Sequence, residues 1–199
     1  MKNLLFVLFL LLGFGCFSQP LDMSKINYNL LDSLIFVEVN NIRDSLERNT
    51  IHFSSLMRDN VSKVQTKKML DAKKCYHPER GTIVTDIQQK VFNVVQKSNP
   101  KLSVDKGGDL NNMTMEVCII TGYINDCKTY QEMAKKIVDR WCTSEPHKMV
   151  LEYYGKDKYI LNNRFQNYLI GSCSSKLGDY QGSICIYATF HIGVVYINN

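Results

Sequence analysis

The sequence predicts an α+β domain in which helices pack on an antiparallel sheet. Three observations carry this expectation. The first half of the chain spaces its apolar residues for helices, the second half holds three strand-like segments, and no internal repeat or linker divides the two.

Residues 29–48 set Leu31, Leu34, Ile35, Val39, Ile42 and Leu46 on one helical stripe, with Asp, Glu, Asn and Arg between them and Asn29 as the cap. Residues 55–73 read as a second, more polar helix, opened by Ser55 and carrying Val61, Val64 and Met69. Pro78 and Gly81 end it, because proline disfavours helix at the residue before it and glycine suits a turn. Residues 83–97 (Ile83, Ile87, Val91, Val94, Val95) give a third helix despite their β-branching. Asn99-Pro100 and Gly107-Gly108 are breakers.

The clearest helix spans 129–141, where Tyr130, Met133, Ala134, Ile137, Val138 and Trp141 form an unbroken stripe behind a Thr129/Glu132 capping box. Residues 115–123 predict a strand. Residues 167–174 and 183–196 predict a hairpin around Gly178-Asp179-Tyr180-Gln181-Gly182.

Composition agrees with an ordinary folded domain. The 199 residues are 45% hydrophobic and 22% charged, with 11 Gly and 4 Pro, which excludes collagen-like and disordered classes. The net charge of +5 becomes +4 without Lys2, a modest excess that favours solubility and lacks the dense basic face of a nucleic-acid binder.

The N-terminus points to export. Met1-Lys2-Asn3 is followed by an apolar run over residues 4–12 and then Gly13-Phe14-Gly15-Cys16-Phe17-Ser18-Gln19-Pro20. This order marks residues 1–19 as a signal peptide, and the apolar run falls short of the roughly 20 residues of a membrane span. No other stretch approaches that length. Cleavage near Ser18 or Gln19 gives a soluble secreted, periplasmic or cell-envelope protein. A lipid anchor on Cys16 is the alternative, disfavoured because Phe14 suits a lipobox poorly.

Six cysteines remain beyond Cys16: Cys75, Cys118, Cys127, Cys142, Cys173 and Cys185. An even number in an exported chain suggests disulfides, with buried free thiols as the alternative. Cys173 and Cys185 lie symmetrically about Asp179, so a hairpin centred there would pair them. Cys118–Cys127 is the next most local pair, which leaves Cys75 with Cys142. No CxxC motif supports a zinc ribbon or a redox site.

The order of motifs resembles a known family. Asn41-Ile42-Arg43 on a leading helix is followed by Leu56 with Asp59, His77, Glu116 on a strand, and Trp141-Cys142-Thr143-Ser144-Glu145-Pro146-His147. Ile170-Gly171-Ser172-Cys173 and Ile186-Tyr187-Ala188-Thr189-Phe190 complete the series. Together these are similar to the CAP superfamily, the SCP-like extracellular domains, over residues 30–196. Met115-Glu116-Val117 replaces the family's G-E-N, and Ser144-Glu145-Pro146-His147 its S-P-G-H, as in a divergent bacterial-type member.

The resemblance implies an α-β-α layered sandwich and a cleft that gathers His77, Glu116 and His147, with Glu145 nearest the family's second acidic position. Two imidazoles and a carboxylate suit a divalent ion such as zinc, with His77 and His147 as ligands; the same groups would otherwise hydrogen-bond within a polar cleft. The other singled-out residues read as structure. Trp141 is a core anchor, His191 is structural within the last strand, and His52 lies in a polar loop. Ser144 near His147 lacks a G-x-S-x-G elbow and reads as a cap or turn. Asn60-Val61-Ser62 and Asn112-Met113-Thr114 are formal glycosylation sequons.

Two functions follow. One is a secreted, non-catalytic binding module for a small molecule, a glycan or an extracellular protein. The other is a metal-assisted, peptidase-like hydrolase using the same cleft. No compact H-E-x-x-H favours the second.

Overall fold

Residues 19–75, 114–122, 126–153 and 165–198 are described in the computed structural model. The expected signal peptide before residue 19, the expected helix at 83–97 and His77 lie outside the described residues.

Helix α1 runs Tyr28–Ser45, capped by Asn27, whose side chain accepts from the Leu30 N–H at 3.1 Å. The cap is thus Asn27 and not Asn29. The apolar stripe is buried through Leu31, Ile35 and Val39, but the helix also buries Asp32 and Arg43. A short strand β1, Ile51–Phe53, follows.

Helix α2 is continuous from Ser55–Met57 through a π-helical turn at Arg58–Ser62 into Lys63–Ala72. Ser54 caps it through the Met57 N–H at 3.2 Å. Within the wider turn the Asn60 amide donates to the Leu56 carbonyl at 2.9 Å. Lys73 ends the helix in the left-handed region at φ 48°.

Strand β2 (Thr114–Thr121) comes next, then α3 (Tyr130–Cys142) and α4 (Glu145–Tyr153). The Thr129 hydroxyl caps α3 through the Glu132 N–H at 3.2 Å, and the Glu132 carboxylate reaches back to the Lys128 N–H at 2.6 Å. All six residues of the expected stripe are buried. Ser144 turns the chain between the helices: its N–H donates to Trp141 and its carbonyl accepts the first bond of α4, from Lys148.

Strands β3 (Phe165–Tyr180) and β4 (Ser183–Asn198) form one long hairpin. Its turn is only Gln181-Gly182, with φ 52° and 79°, the positive values of a type I′ turn. The sheet order is β1-β3-β4-β2. The β3–β4 and β4–β2 pairs are antiparallel, but β1 adds to β3 in parallel, so the sheet is mixed and the expectation of a purely antiparallel sheet is corrected. Three residues are too few to show alternation, which is why Ile51–Phe53 reads as a loop in the sequence.

Alternation along β4 divides the core. Ile186, Ala188, Phe190 and Ile192 join Leu31, Ile35, Ile137 and Trp141 in the main cluster with α1, α3 and α4. Tyr187 turns to Met69 of α2, while Thr189 and His191 meet its hydroxyls. Helices therefore lie against both faces of the sheet. Among the described residues no helix is long and apolar enough to cross a membrane.

Candidate functional site

His147 and Glu145 share the first turn of α4, where Glu145 is exposed and His147 half-buried. This helix packs against β2, the strand that carries Glu116. The backbone of Glu116 lies in register with His191 of β4. That register position belongs to the sheet face that meets α2, whereas α4 lies on the main-core face, so contact between α4 and β2 does not by itself join His147 to Glu116. His77 lies outside the described residues, and among those residues no group of three or more His, Cys, Asp or Glu side chains is placed to hold a metal ion.

The cysteine pairing expected across the hairpin is not made. The two-residue turn centres the ladder beyond Asp179, so Cys173 faces Phe190 and Cys185 faces Gly178. Cys173 joins the main core, whereas Cys185 shares the register parity of Tyr187 and His191 on the other face, with its sulfur beside Gly122. The thiols of Cys127, Cys142, Cys173 and Cys185 are all free, so neither Cys118–Cys127 nor Cys75–Cys142 is linked. Burial raises the pKa of each of these four thiols, most strongly for Cys173, and so keeps them protonated and poorly nucleophilic.

A polar seam, which the sequence reading missed, joins α2 to the sheet. Ser62 Oγ lies 2.7 Å from Ser172 Oγ and 2.9 Å from His191 Nδ1. One helical turn on, Thr66 Oγ1 donates to the Ser174 carbonyl at 3.1 Å and lies 3.0 Å from Thr189 Oγ1, which donates to the Ser62 carbonyl at 3.1 Å. All of these residues are buried. Burial pushes the His191 pKa down to about 3, so the imidazole is neutral. The period-3.6 recurrence of hydroxyls at Ser62 and Thr66, against Ser172, Ser174 and Thr189 at strand spacing, is the signal that would have found the seam. The Ser62–His191 contact superficially matches a nucleophile and its base, but it is closed to substrate. Ser62 also belongs to the sequon at Asn60, whose amide is bonded to Leu56; both partners a glycan acceptor needs are committed to the fold.

On the opposite face, Asp32 of α1 accepts from Ser175 Oγ at 2.5 Å. Burial pushes its pKa up to about 7, against the opposing pull of the Ser175 bonds, Arg58 and Lys176. Arg43, fully buried, donates through Nε to the Asn49 carbonyl at 2.8 Å and through Nη1 to the Leu151 carbonyl at 2.9 Å, tying the end of α1 to α4. Trp141 is a core anchor, as its position in the stripe predicts: it is fully buried with its ring edge-on to Phe190 at 6.2 Å. His52 is exposed on β1.

No family model and no curated protein matches the chain. Among solved structures, an outer surface protein from Borrelia burgdorferi is similar at 14% identity and TM-score 0.46, over 88% of this chain and 98% of that one. An extracellular protein containing a SCP domain from Bacillus anthracis is similar at 19% identity and TM-score 0.41. That match covers 92% of this chain but only 45% of the Bacillus protein.

Proposed function

We propose that this protein is a secreted, CAP/SCP-like binding module, built as an α-β-α layered sandwich and exported by an N-terminal signal peptide that is cut near Ser18 or Gln19. Its cleft is formed by His77, Glu116 and His147, with Glu145 at the rim, and takes a small molecule, a glycan or an extracellular protein. A divalent ion such as zinc, held by His77 and His147, is its candidate cofactor.

The observation that supports this reading is the motif order, from Asn41-Ile42-Arg43 through Trp141 to His147 and on to Ile186-Tyr187-Ala188-Thr189-Phe190. Helices on both faces of the sheet support the layered architecture.

Elemental analysis of the purified protein beside a His77→Ala/His147→Ala variant tests the site. A stoichiometric metal in the wild type that is lost in the variant is the expected result, with affinity falling below about pH 6.5 as imidazole protonates. Glu116→Gln should weaken binding without unfolding the domain. Metal affinity unchanged between pH 5 and 8 would remove the histidine site. Metal-dependent hydrolysis of a peptide or ester library, abolished by His147→Ala, would replace the binding module with the hydrolase.

A further inference from the structure

The residues that follow the leader are held against the N-terminus of α3. The Tyr130 N–H donates to the Gln19 carbonyl at 3.2 Å, Pro20 and Thr129 form an antiparallel bridge, and the Leu21 N–H donates to the Lys128 carbonyl at 2.9 Å. Gln19 is exposed, so its carboxamide is open to reaction. A cut after Gln19 would discard the acceptor of the Tyr130 N–H, one of the donors that a helix start leaves without an intrahelical partner. A cut after Ser18 keeps it and leaves small Cys16 and Ser18 on the leader side, as a signal peptidase requires.

We propose that the leader is cut between Ser18 and Gln19 and that Gln19 then closes to a pyroglutamyl N-terminus. The uncharged α-amine attacks the side-chain Cδ, a new amide bond forms between that nitrogen and Cδ, and the Cδ–Nε2 bond breaks. One amine proton leaves with Nε2 as ammonia, and no other reactant enters. The product suits its position. A free ammonium at Gln19 would stand at the positive end of the α3 dipole, where the Glu132 carboxylate offsets only part of the field. The lactam carries no charge and retains the backbone carbonyl that Tyr130 uses. It also closes the chain end to aminopeptidases.

The inference rests on the export reading, and one experiment separates the two. The full chain is expressed with its own leader in an exporting bacterium. The exported protein is then collected cold at neutral pH, and its N-terminal peptide is analysed by mass spectrometry and amine labelling. A synthetic open-Gln peptide carried through the same handling measures closure during preparation. The expected result is a peptide starting at residue 19, lighter than the open form by one ammonia and unlabelled. A Gln19→Ala variant should be exported, cut at the same bond and labelled. An exported chain that begins with open Gln19, with Pro20 or with acylated Cys16 would overturn the inference and leave export standing. A chain that retains Met1 and the leader would overturn both.

Discussion

Asp32 and His191 lie on opposite faces of the sheet and are both held in their neutral forms by burial. For Asp32, the folded chain binds the carboxyl proton more tightly than the unfolded chain, so stability is fullest at low pH and falls as pH rises from about 4 to about 7. The ionised carboxylate costs on the order of 2–4 kcal/mol above that window. Asp32→Asn keeps an oxygen for Ser175 and carries no charge. Chemical denaturation should therefore show the variant more stable than wild type at pH 8 by about that amount and nearly equal at pH 4.5. Asp32 stands beside Leu31 in the sequence and looks like any polar residue between stripe positions. Only the seating of α1 over Ser175 buries it, and Ser175 is too distant in sequence for any local pattern to show this.

At the level of elements, helix α3 was legible almost to the residue because each of its stripe positions meets the core and its cap is local. Trp141→Ala should cost about 3–5 kcal/mol in urea denaturation, since a large fully buried ring leaves a cavity against Phe190. The hairpin was legible in position but not in register. Gly178 looks like part of the turn, yet it is a strand residue. A Cβ there would meet the end of the Leu70 side chain and lie 3.0 Å from the Tyr187 ring, so glycine eases packing there and does not bend the chain. That misreading moved the hairpin centre and joined Cys173 to Cys185. The real turn asks Gln181 for a left-handed conformation that asparagine adopts more easily, so Gln181→Asn should raise stability by up to about 1 kcal/mol without shifting the ladder, read by thermal melting and amide exchange. Helix α4 was not anticipated, because Pro146 within its first turn looks like a breaker although that position tolerates it.

For the whole molecule, the two buried groups oppose each other. His191 is neutral when folded down to about pH 3, whereas the unfolded chain takes up that proton below about 6.5. Its contribution is complete above pH 6.5 and is lost as the solution is acidified towards 3. Asp32 changes stability in the other direction over much of the same range. Wild type should therefore show little net change in unfolding free energy between about pH 4.5 and 6.5, while Asp32→Asn should lose stability steadily on acidification through that window. Equal slopes for the two proteins would show that Asp32 does not titrate as described. The cleft residues were named from motif order alone. The register sets Glu116 opposite His191, on the face that meets α2, while α4 and His147 lie on the other side, and spacing in the sequence carries no record of such an assignment of faces.

Asn40 gives β1 a consequence for how copies of the protein meet. Its carboxamide accepts from the Ile51 N–H at 2.9 Å and donates to the Ile51 carbonyl at 3.0 Å. Both groups point away from β3, because the ladder on that side takes the neighbouring Ser54 N–H to Gly171. A single side chain thus imitates one residue of an absent fifth strand. A bare strand margin invites another chain to add itself. By plugging its own margin at Ile51, the chain denies a newcomer the pair of bonds with which such growth would start.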